Sequence, residues 1–310
     1  MNTSEKIMNT LSCSVLMSTY NGEKYIREQI DSILCQEGVD VNLYIRDDGS
    51  RDKTRIILKE YSGKYNNIHV IEGENLGIHK SFAELMKVPD LKGYIAFSDQ
   101  DDVWDKDKLS SAIHKLNDFN AEFYSSASRL VDSNLLDLMK STAKNKEYSH
   151  YIFGNNRILT PGVQGCTIVI SNSLYKKITS KPYPDYYGHD TWITIVAFYL
   201  CNCYYDICPH MSYRQHDASW TGNRKNRFAQ LKREYHFFIK GMNRYAKIAK
   251  DLLMYYSDDL NEDDQRFLMI LAKPNKTIKE KLHLIFCKNF NKYGFLKNAI
   301  FKFEILKGNV

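Results

Sequence analysis

The sequence lacks any long apolar segment. No run of about 18 consecutive apolar residues occurs, so no part of the chain is expected to span a membrane. The N-terminal stretch MNTSEKIMNTLSCSVLMS has no basic region followed by an apolar one, which a secretory signal would show. The seven cysteines are odd in number and have no framework spacing, as is typical of a reducing compartment. These absences predict a cytoplasmic protein.

A glycine-rich phosphate loop is also missing. The first predicted strand, SVLMS, is followed by TYNGEKY, which contains a single glycine. A nucleotidyltransferase that combines a parallel sheet with acidic metal ligands usually has such a loop near its first strand, so this class is kept only as an alternative. The sequence shows no internal repeat and no low-complexity tract.

Charge is unevenly distributed along the chain. Residues 1–224 contain 25 Lys+Arg against 28 Asp+Glu, a net charge of −3, and residues 225–310 contain 18 against 9, a net charge of +9, which gives the total of +6. This predicts one domain over 1–224 and a basic, mostly helical region over 225–310. Such a region suits docking on the anionic inner leaflet of a membrane or helix pairing in a homodimer, and a solvated lysine-rich surface is the plain alternative. No nucleic-acid partner is expected.

Residues 13–131 alternate between strand-like and helical patterns. The short apolar runs are SVLMS, VNLYIR, IHVI and GYIAFS, and amphipathic segments such as EKYIREQIDSILCQ separate them. This order predicts a parallel sheet covered by helices, with ligands beyond the carboxyl ends of its strands. Three polar clusters follow those strands and should converge there: TYNGE, RDDGS and SDQDD.

The later part of the chain is patterned differently. Residues 132–160 are polar and are predicted to be irregular. Further strands are predicted at GCTIVIS, NCYYDI and HMSYRQH, and a buried helix at HDTWITIVAFYL.

The segment FSDQDDVWDKDKL concentrates acidic residues directly after a strand. In an extended segment Asp99 and Asp101 point the same way, so they could share one divalent cation, or one could bind it while the other binds a sugar hydroxyl. Oxygen ligands suit Mg²⁺ or Mn²⁺. The alternative is an acidic N-terminus of the helix KDKLSSAIHKL, where carboxylates complement the helix dipole.

A second carboxylate pair lies in IRDDGSRDKT, which is typical of a strand, a turn at Gly49 and a helix start. Capping that helix requires only Ser50 or Asp52, so the pair Asp47 and Asp48 needs another reason. A carboxylate at a strand end can accept the N3–H of uracil or thymine. The preceding STYNGEKYI supplies hydroxyls, backbone N–H groups and an aromatic ring that could wall a base.

The ordered set VLMSTYNGEKYIREQIDSIL, RDDGSRDKT, NLGIHKSF and FSDQDDVW, followed by GCTIVIS, GHDTWI and YRQH, resembles the family-2 glycosyltransferases with the GT-A fold. It is most similar to their rhamnosyltransferase-like branch, which builds bacterial surface polysaccharides such as capsules. The resemblance covers about residues 12–220. It implies an α/β fold, a Rossmann-like mixed sheet flanked by helices, and transfer of a sugar from a nucleoside diphosphate with inversion.

The resemblance also implies roles for individual residues. Asp190 matches the catalytic base, Asp101 the metal ligand, and His216 a position that can reach the metal or diphosphate. The nucleotide-sugar set comprises Ser18, Tyr20 and Asp48 at the base, Asp99 at the ribose or sugar, Lys80 and Arg214 near the diphosphate by charge and placement, and Glu23 and Gln100 in the same motifs. His189 and Trp192 are predicted on the acceptor side.

The expected reaction is metal-dependent transfer of one sugar, with Mg²⁺ or Mn²⁺ as cofactor. The expected donor is dTDP-L-rhamnose and the expected acceptor a lipid-linked saccharide or oligosaccharide. A UDP-hexose or UDP-N-acetylhexosamine donor is the main alternative, and a non-catalytic nucleotide-sugar-binding module is a further one. The processive synthases of the family are disfavoured because no Q-x-x-R-W motif occurs.

Overall fold

The computed structural model describes residues 11–143, 163–184, 186–215 and 242–286, with short pieces at 302–303 and 305–308. The chain divides into two compact units. The described residues of the first come from Met1–Tyr151, Val163–Trp192 and Asn202–His216, and those of the second from Ile193–Cys201 and Asp217–Val310. The predicted domain boundary after residue 224 lies outside the described residues.

Strands and helices alternate in the first part of the first unit, as the sequence pattern predicts. The elements are β1 (Leu11–Thr19), α1 (Ile26–Leu34), β2 (Val39–Asp47), α2 (Thr54–Lys64), β3 (Ile68–Glu72), α3 (Ile78–Leu85), β4 (Tyr94–Ser98), β5 (Val103–Trp104) and α4 (Lys108–Asp118). The elements that follow are β6 (Phe123–Ser126), β7 (Arg129–Val131), β8 (Asp137–Ser141), β9 (Val169–Ile170), α5 (Asn172–Thr179), α6 (His189–Leu200), β10 (Cys203–Asp206) and β11 (Met211–Arg214). Helix α6 begins in the first unit, and its residues from Ile193 onward belong to the second.

Seven strands form the main sheet, in the order β10-β6-β9-β4-β1-β2-β3. All neighbours pair in parallel except β9, which is antiparallel to both β4 and β6. This is the predicted mixed sheet with flanking helices. The four remaining strands make a second sheet, in the order β5-β11-β7-β8.

The core of the first unit forms where the central strands meet their covering helices. On α1 the predicted apolar face is buried through Ile26, Ile30 and Ile33, which recur at helical spacing. They pack in one cluster with Val15 of β1 and Ile113 of α4. Each such side chain contributes about 1.5–3 kcal/mol when fully buried. This core holds the carboxyl ends of the strands in place.

Two local predictions were wrong. Residues 132–160 were expected to be irregular, yet Asp137–Ser141 forms strand β8, which pairs with β7 across a bulge. GCTIVIS was expected to be a strand throughout, yet Gly165–Thr167 is a 3₁₀ turn and only Val169–Ile170 is extended. Both strands are short, and their pairing depends on partners distant in sequence that a local pattern does not reveal.

We expect Gly93→Ala to destabilise the first unit. Gly93 has φ +66°, and a Cβ there would overlap the backbone carbonyl of Ser12. The left-handed conformation and the backbone clash should together cost about 2 kcal/mol, measured by urea unfolding. Gly63→Ala is the matched control, because a Cβ added at Gly63 would have no neighbouring atom within 4 Å. That substitution, within α2, should stabilise by about 0.5–1 kcal/mol. Equal effects of the two substitutions would contradict the assignment.

The described part of the second unit is mostly helical. It contains α7 (Met242–Tyr256), a 3₁₀ turn at Ser257–Asp259, α8 (Glu262–Ala272) and α9 (Ile278–Phe286). Asn261 caps α8, since its side chain accepts the N–H of Asp264 at 2.9 Å. None of the helices in the described ranges is both long enough and apolar enough to cross a membrane.

Candidate functional site

The three predicted polar clusters lie at one edge of the main sheet. In the parallel register Thr19 of β1 pairs with Asp47 of β2, and Met17 of β1 pairs with Ser98 of β4. The residues that follow these strands therefore begin at the same edge, where ligands bind in sheets of this kind. Folding brings together segments that are about 80 positions apart in the chain.

Gln100 ties the first cluster to the third. Its Oε1 accepts hydrogen bonds from Thr19 Oγ1 at 2.5 Å and Tyr20 N at 2.9 Å, and its Nε2 donates to Tyr20 O at 3.2 Å. These three bonds give Gln100 a positioning role, and the donor contact predicted for it stays a prediction. The Tyr20 side chain is 42% exposed at this edge.

Glu23 joins the first cluster to the second. Its Oε2 accepts the backbone N–H of Lys53 at 2.9 Å, and its own N–H donates to Asp52 Oδ2 at 3.1 Å. Lys53 immediately precedes α2, so the carboxylate satisfies an N–H group at that helix start. This is a structural contact, and the donor contact predicted for Glu23 stays a prediction.

Asp48 is buried, and both its carboxylate oxygens are engaged. Oδ1 accepts the N–H of Leu76 at 3.0 Å and Oδ2 that of Gly77 at 2.8 Å, and the buried Arg46 forms an ion pair with it. In this conformation Asp48 holds the loop before α3. The base contact predicted for it stays a prediction.

Ser18 and Asp47 lie at the same edge of the sheet as Asp48. Ser18 Oγ shares a hydrogen bond of 2.6 Å with Ser81 Oγ. Asp47 Oδ2 accepts from Ser50 N at 3.0 Å and from Arg55 Nε at 2.9 Å. Asp47 Oδ1 is buried and has no hydrogen-bond partner among the described residues. Sequence reasoning predicted only Asp48 as an acceptor and missed Asp47, because the motif gives no sign of which of two adjacent aspartates has an unpaired oxygen.

Asp190, in the first turn of α6, lies near the segment of Asp99 and Asp101. A Cβ added at Gly165 would lie 3.5 Å from the Asp190 Cβ, and the Sγ of the adjacent Cys166 lies within 4.8 Å of a carboxylate oxygen of Asp99. Burial, and then the negative charges of Asp101 and Asp190, raise the pKa of Asp99 to about 7. Asp190 is partly exposed, and its Oδ1 accepts the N–H of Thr191 at 2.6 Å. Asp99, Asp101 and Asp190 are called the carboxylate cluster below.

A buried layer lies behind this cluster. Ligand atoms of Asp99, Asp102 and Cys166 lie within 4.8 Å of one another. Burial and the charges of Asp99 and Asp101 raise the pKa of Asp102 well above its ordinary value. The positive charge nearby is the fully buried Lys108 ammonium, 4.2 Å from the centre of the Trp104 ring, with no hydrogen-bond partner among the described residues.

The Lys108 ammonium is buried away from water, but acidic groups lie close to it. Burial lowers its pKa to about 8, while the nearby Cys166, Cys13 and Asp102 act to raise it. Its charge offsets part of the negative charge of the layer. Sequence reasoning treated this lysine only as part of a helix start, and nothing in its local pattern distinguishes it from an exposed one.

Arg214 is also buried, and the diphosphate contact predicted for it stays a prediction. Its Nε donates to the Asp101 carbonyl at 2.8 Å, Nη1 to the Ser133 carbonyl at 2.7 Å and Nη2 to Glu28 Oε2 at 2.5 Å. Its backbone N–H donates to Asp102 Oδ1 at 3.2 Å. Arg214 therefore positions the segment that carries Asp101.

The two predicted acceptor-side residues lie in the interior. The His189 ring stacks on Phe82 at 3.7 Å between centroids and lies 5.2 Å from Phe97, and burial lowers its pKa to about 4. Trp192 is 0% exposed and stacks on Tyr187 at 5.3 Å. These contacts favour packing, the alternative that the sequence also leaves open for both residues, and their acceptor-side role stays a prediction.

Two other predicted site residues have no described contact that bears on their predicted roles. Lys80 is exposed on α3. His216, the predicted second metal ligand, lies outside the described residues.

We expect Gly165→Ala to impair transfer by displacing α6. A Cβ at Gly165 would overlap Nε2 of His189 and lie 3.5 Å from the Asp190 Cβ. The His189 ring cannot retreat, because it packs on Phe82 and Phe97. Overpacking of this kind costs about 1–3 kcal/mol, and Asp190 should move with its neighbour. The initial rate of sugar transfer should fall in Gly165→Ala and stay at the wild-type value in Gly63→Ala. A wild-type rate in both variants would contradict the expected displacement of Asp190.

Comparison with known proteins agrees with this geometry. Residues 14–179, more than half of the chain, match the model of glycosyl transferase family 2. The chain is 35% identical over 232 residues to the dTDP-rhamnosyl transferase RfbG of Shigella flexneri, covering 70% of this chain and 77% of that protein. It is 26% identical over 242 residues to the uncharacterized glycosyltransferase RT0329 of Rickettsia typhi, covering 76% and 74%.

Solved structures share the fold. TarS 1-349 of S. aureus in complex with UDP-GlcNAc is similar with a TM-score of 0.61 at 18% identity, covering 97% of this chain and 82% of that one. The mannosyltransferase PcManGT of Pyrobaculum calidifontis, in complex with GDP-Man and Mn2+, gives a TM-score of 0.52 at 15% identity, covering 93% and 73%. The first unit has the mixed sheet and flanking helices of the GT-A fold. The chain belongs to glycosyltransferase family 2.

Proposed function

We propose that this glycosyltransferase transfers L-rhamnose from dTDP-L-rhamnose to a hydroxyl of a saccharide acceptor, with inversion at the anomeric carbon. The observation that carries the proposal is the convergence of Asp190 with Asp99 and Asp101. The rhamnose donor is supported by the 35% identity to a protein named as a dTDP-rhamnosyl transferase. Family membership alone would leave the sugar open.

The acceptor is proposed to be a lipid-linked saccharide of a surface polysaccharide. A Bacillus subtilis relative, 35% identical over 112 residues, is named as a putative teichuronic acid biosynthesis glycosyltransferase, TuaG. That match covers 36% of this chain and 44% of that protein. It supports a role in polymer assembly.

The carboxylate cluster fits a divalent cation. Asp99 and Asp101 offer oxygen donors of the kind that Mg²⁺ and Mn²⁺ prefer. Burial first, and then the charges of Asp101 and Asp190, raise the pKa of Asp99, and a cation bound there would offset that negative charge. Asp101 is the proposed ligand, and His216 stays a predicted one. When bound, the ion supplies positive charge toward the leaving diphosphate.

Asp190 is the proposed general base. Its partly exposed carboxylate is near enough for its charge to act on Asp99, so an acceptor hydroxyl held across the sugar could pass its proton to Asp190 while the oxygen attacks the anomeric carbon. The hydroxyl oxygen forms the new bond to carbon, and the bond to the diphosphate oxygen breaks. The Arg214 contacts hold the Asp101 backbone in place during this step.

The donor is tested by thermal shift with dTDP-L-rhamnose, UDP-galactose and UDP-N-acetylglucosamine, each with and without Mn²⁺. A ligand at 100 times its Kd should stabilise the protein by about 2.7 kcal/mol. We expect the largest metal-dependent shift with dTDP-L-rhamnose and rhamnosyl transfer to follow. A shift with a UDP-sugar alone would replace the proposed donor by the alternative one.

A further inference from the structure

The second unit exposes an apolar face on α9. Ile278, Leu282 and Phe286 are 79%, 44% and 77% exposed. They recur every fourth residue, so they lie along one side of the helix. Leu284, which is fully buried, lies on another side of α9. The exposed residues are therefore not the ones by which α9 packs onto its own unit.

The C-terminal segment extends this face. Phe303 and Leu306 are each 54% exposed, whereas Ile305 between them is fully buried. The Lys281 ammonium donates to the Leu306 carbonyl at 2.8 Å, which joins the segment to α9. Below, the C-terminal patch means the exposed apolar residues Ile278, Leu282, Phe286, Phe303 and Leu306.

Lysines accompany the apolar residues of the patch. Among the described residues from position 276 onward, five are lysines and one, Glu280, is a glutamate. Glu280 already forms an ion pair with Lys273. Lys279 and Lys307 are exposed, and the Lys307 ammonium lies 4.5 Å from the centre of the Phe303 ring. In the described part of this region, exposed apolar side chains therefore occur together with an excess of positive charge.

The combination of exposed apolar side chains and lysines helps to decide whether a second copy of the chain or an anionic bilayer covers the patch. In a two-fold symmetric dimer the same patch faces itself, so lysines would meet lysines with too few acidic residues to pair them. An anionic bilayer instead supplies negative head groups around an apolar layer, which complements both features. Charge complementarity therefore favours the bilayer.

We propose that the C-terminal patch docks on the surface of an anionic lipid bilayer, with its apolar side chains at the boundary of head groups and acyl chains and its lysines among the head groups. This contact does not depend on the donor proposed above. It would hold the enzyme at the surface where a lipid-linked acceptor resides, and that consequence alone rests on the proposed function.

The test is sedimentation of the full chain with phosphatidylcholine vesicles, with and without phosphatidylglycerol. The wild type should sediment with the anionic vesicles and not with the neutral ones. Ile278→Ser/Phe286→Ser should lower the partition coefficient by roughly tenfold or more. Ile56→Ser/Leu136→Ser is the matched control, since these side chains are 61% and 65% exposed in the first unit. It should bind like the wild type.

Donor-induced thermal shift shows that each variant is folded, and it is measured without vesicles. Equal binding of both double variants would overturn the proposal, and so would equal sedimentation of the wild type with neutral and anionic vesicles. Light scattering provides the other decisive outcome. A dimeric wild type that becomes monomeric in Ile278→Ser/Phe286→Ser, with no vesicle binding by either, would make the patch a subunit interface.

Discussion

Asp190→Asn is expected to lower the rate of sugar transfer by about 10²–10⁴-fold, the contribution that a general base typically makes. Asparagine has nearly the same shape but cannot accept the acceptor proton. The fold should survive, because the substitution removes one of three neighbouring negative charges. Donor affinity, measured by calorimetry, should stay within a few-fold of the wild type. The signature is thus a loss of turnover without a loss of binding.

Asp118→Asn controls for the change of charge. Asp118 is exposed at the end of α4, so this variant removes a carboxylate that lies outside the cluster. It should transfer sugar at the wild-type rate. If Asp190→Asn also kept wild-type turnover, Asp190 would not be the base, and its carboxylate would only close the first turn of α6 through Thr191 N.

The alternating part of the fold was predictable because its information is local. Strands such as Leu11–Thr19 are apolar runs bounded by polar turns, and α1 shows its buried side directly in the spacing of Ile26, Ile30 and Ile33. The second sheet was not predictable in this way. Its strands Val103–Trp104 and Met211–Arg214 pair across about 100 residues, and each is too short to show a period.

The site, like the fold, was predictable where the information is local and not where it depends on contacts between distant segments. The motif order of the resemblance was enough to predict one site for Asp99, Asp101 and Asp190, and their roles in it stay predictions. What it could not reveal is whether a polar side chain is already engaged. Gln100 and Arg214 look like ligands in the sequence, yet their donors and acceptors are used by backbone groups that folding delivers from elsewhere.

Arg214→Met is expected to destabilise the first unit by about 2–6 kcal/mol, because two backbone carbonyls lose the buried side chain that donates to them. Methionine fills much of the volume but donates no hydrogen bonds. The carbonyls of Asp101 and Ser133 would each lose a buried donor, which costs about 1–3 kcal/mol per group. Urea unfolding measures the loss. Transfer by the folded fraction should also fall, because Asp101 loses the contact that positions its backbone.

Glu28→Gln separates the ion pair from the backbone contacts. The Glu28 side chain is 51% exposed whereas that of Arg214 is 1% exposed, so water can replace much of this partner. An exposed partner of this kind contributes at most about 1 kcal/mol, and the bonds from Arg214 to the two carbonyls remain. Glu28→Gln should therefore be nearly as stable and as active as the wild type. Glu28→Gln could instead lose as much stability and activity as Arg214→Met. The Glu28 carboxylate, and not the contact with the Asp101 carbonyl, would then hold Arg214 and the segment of Asp101 in position.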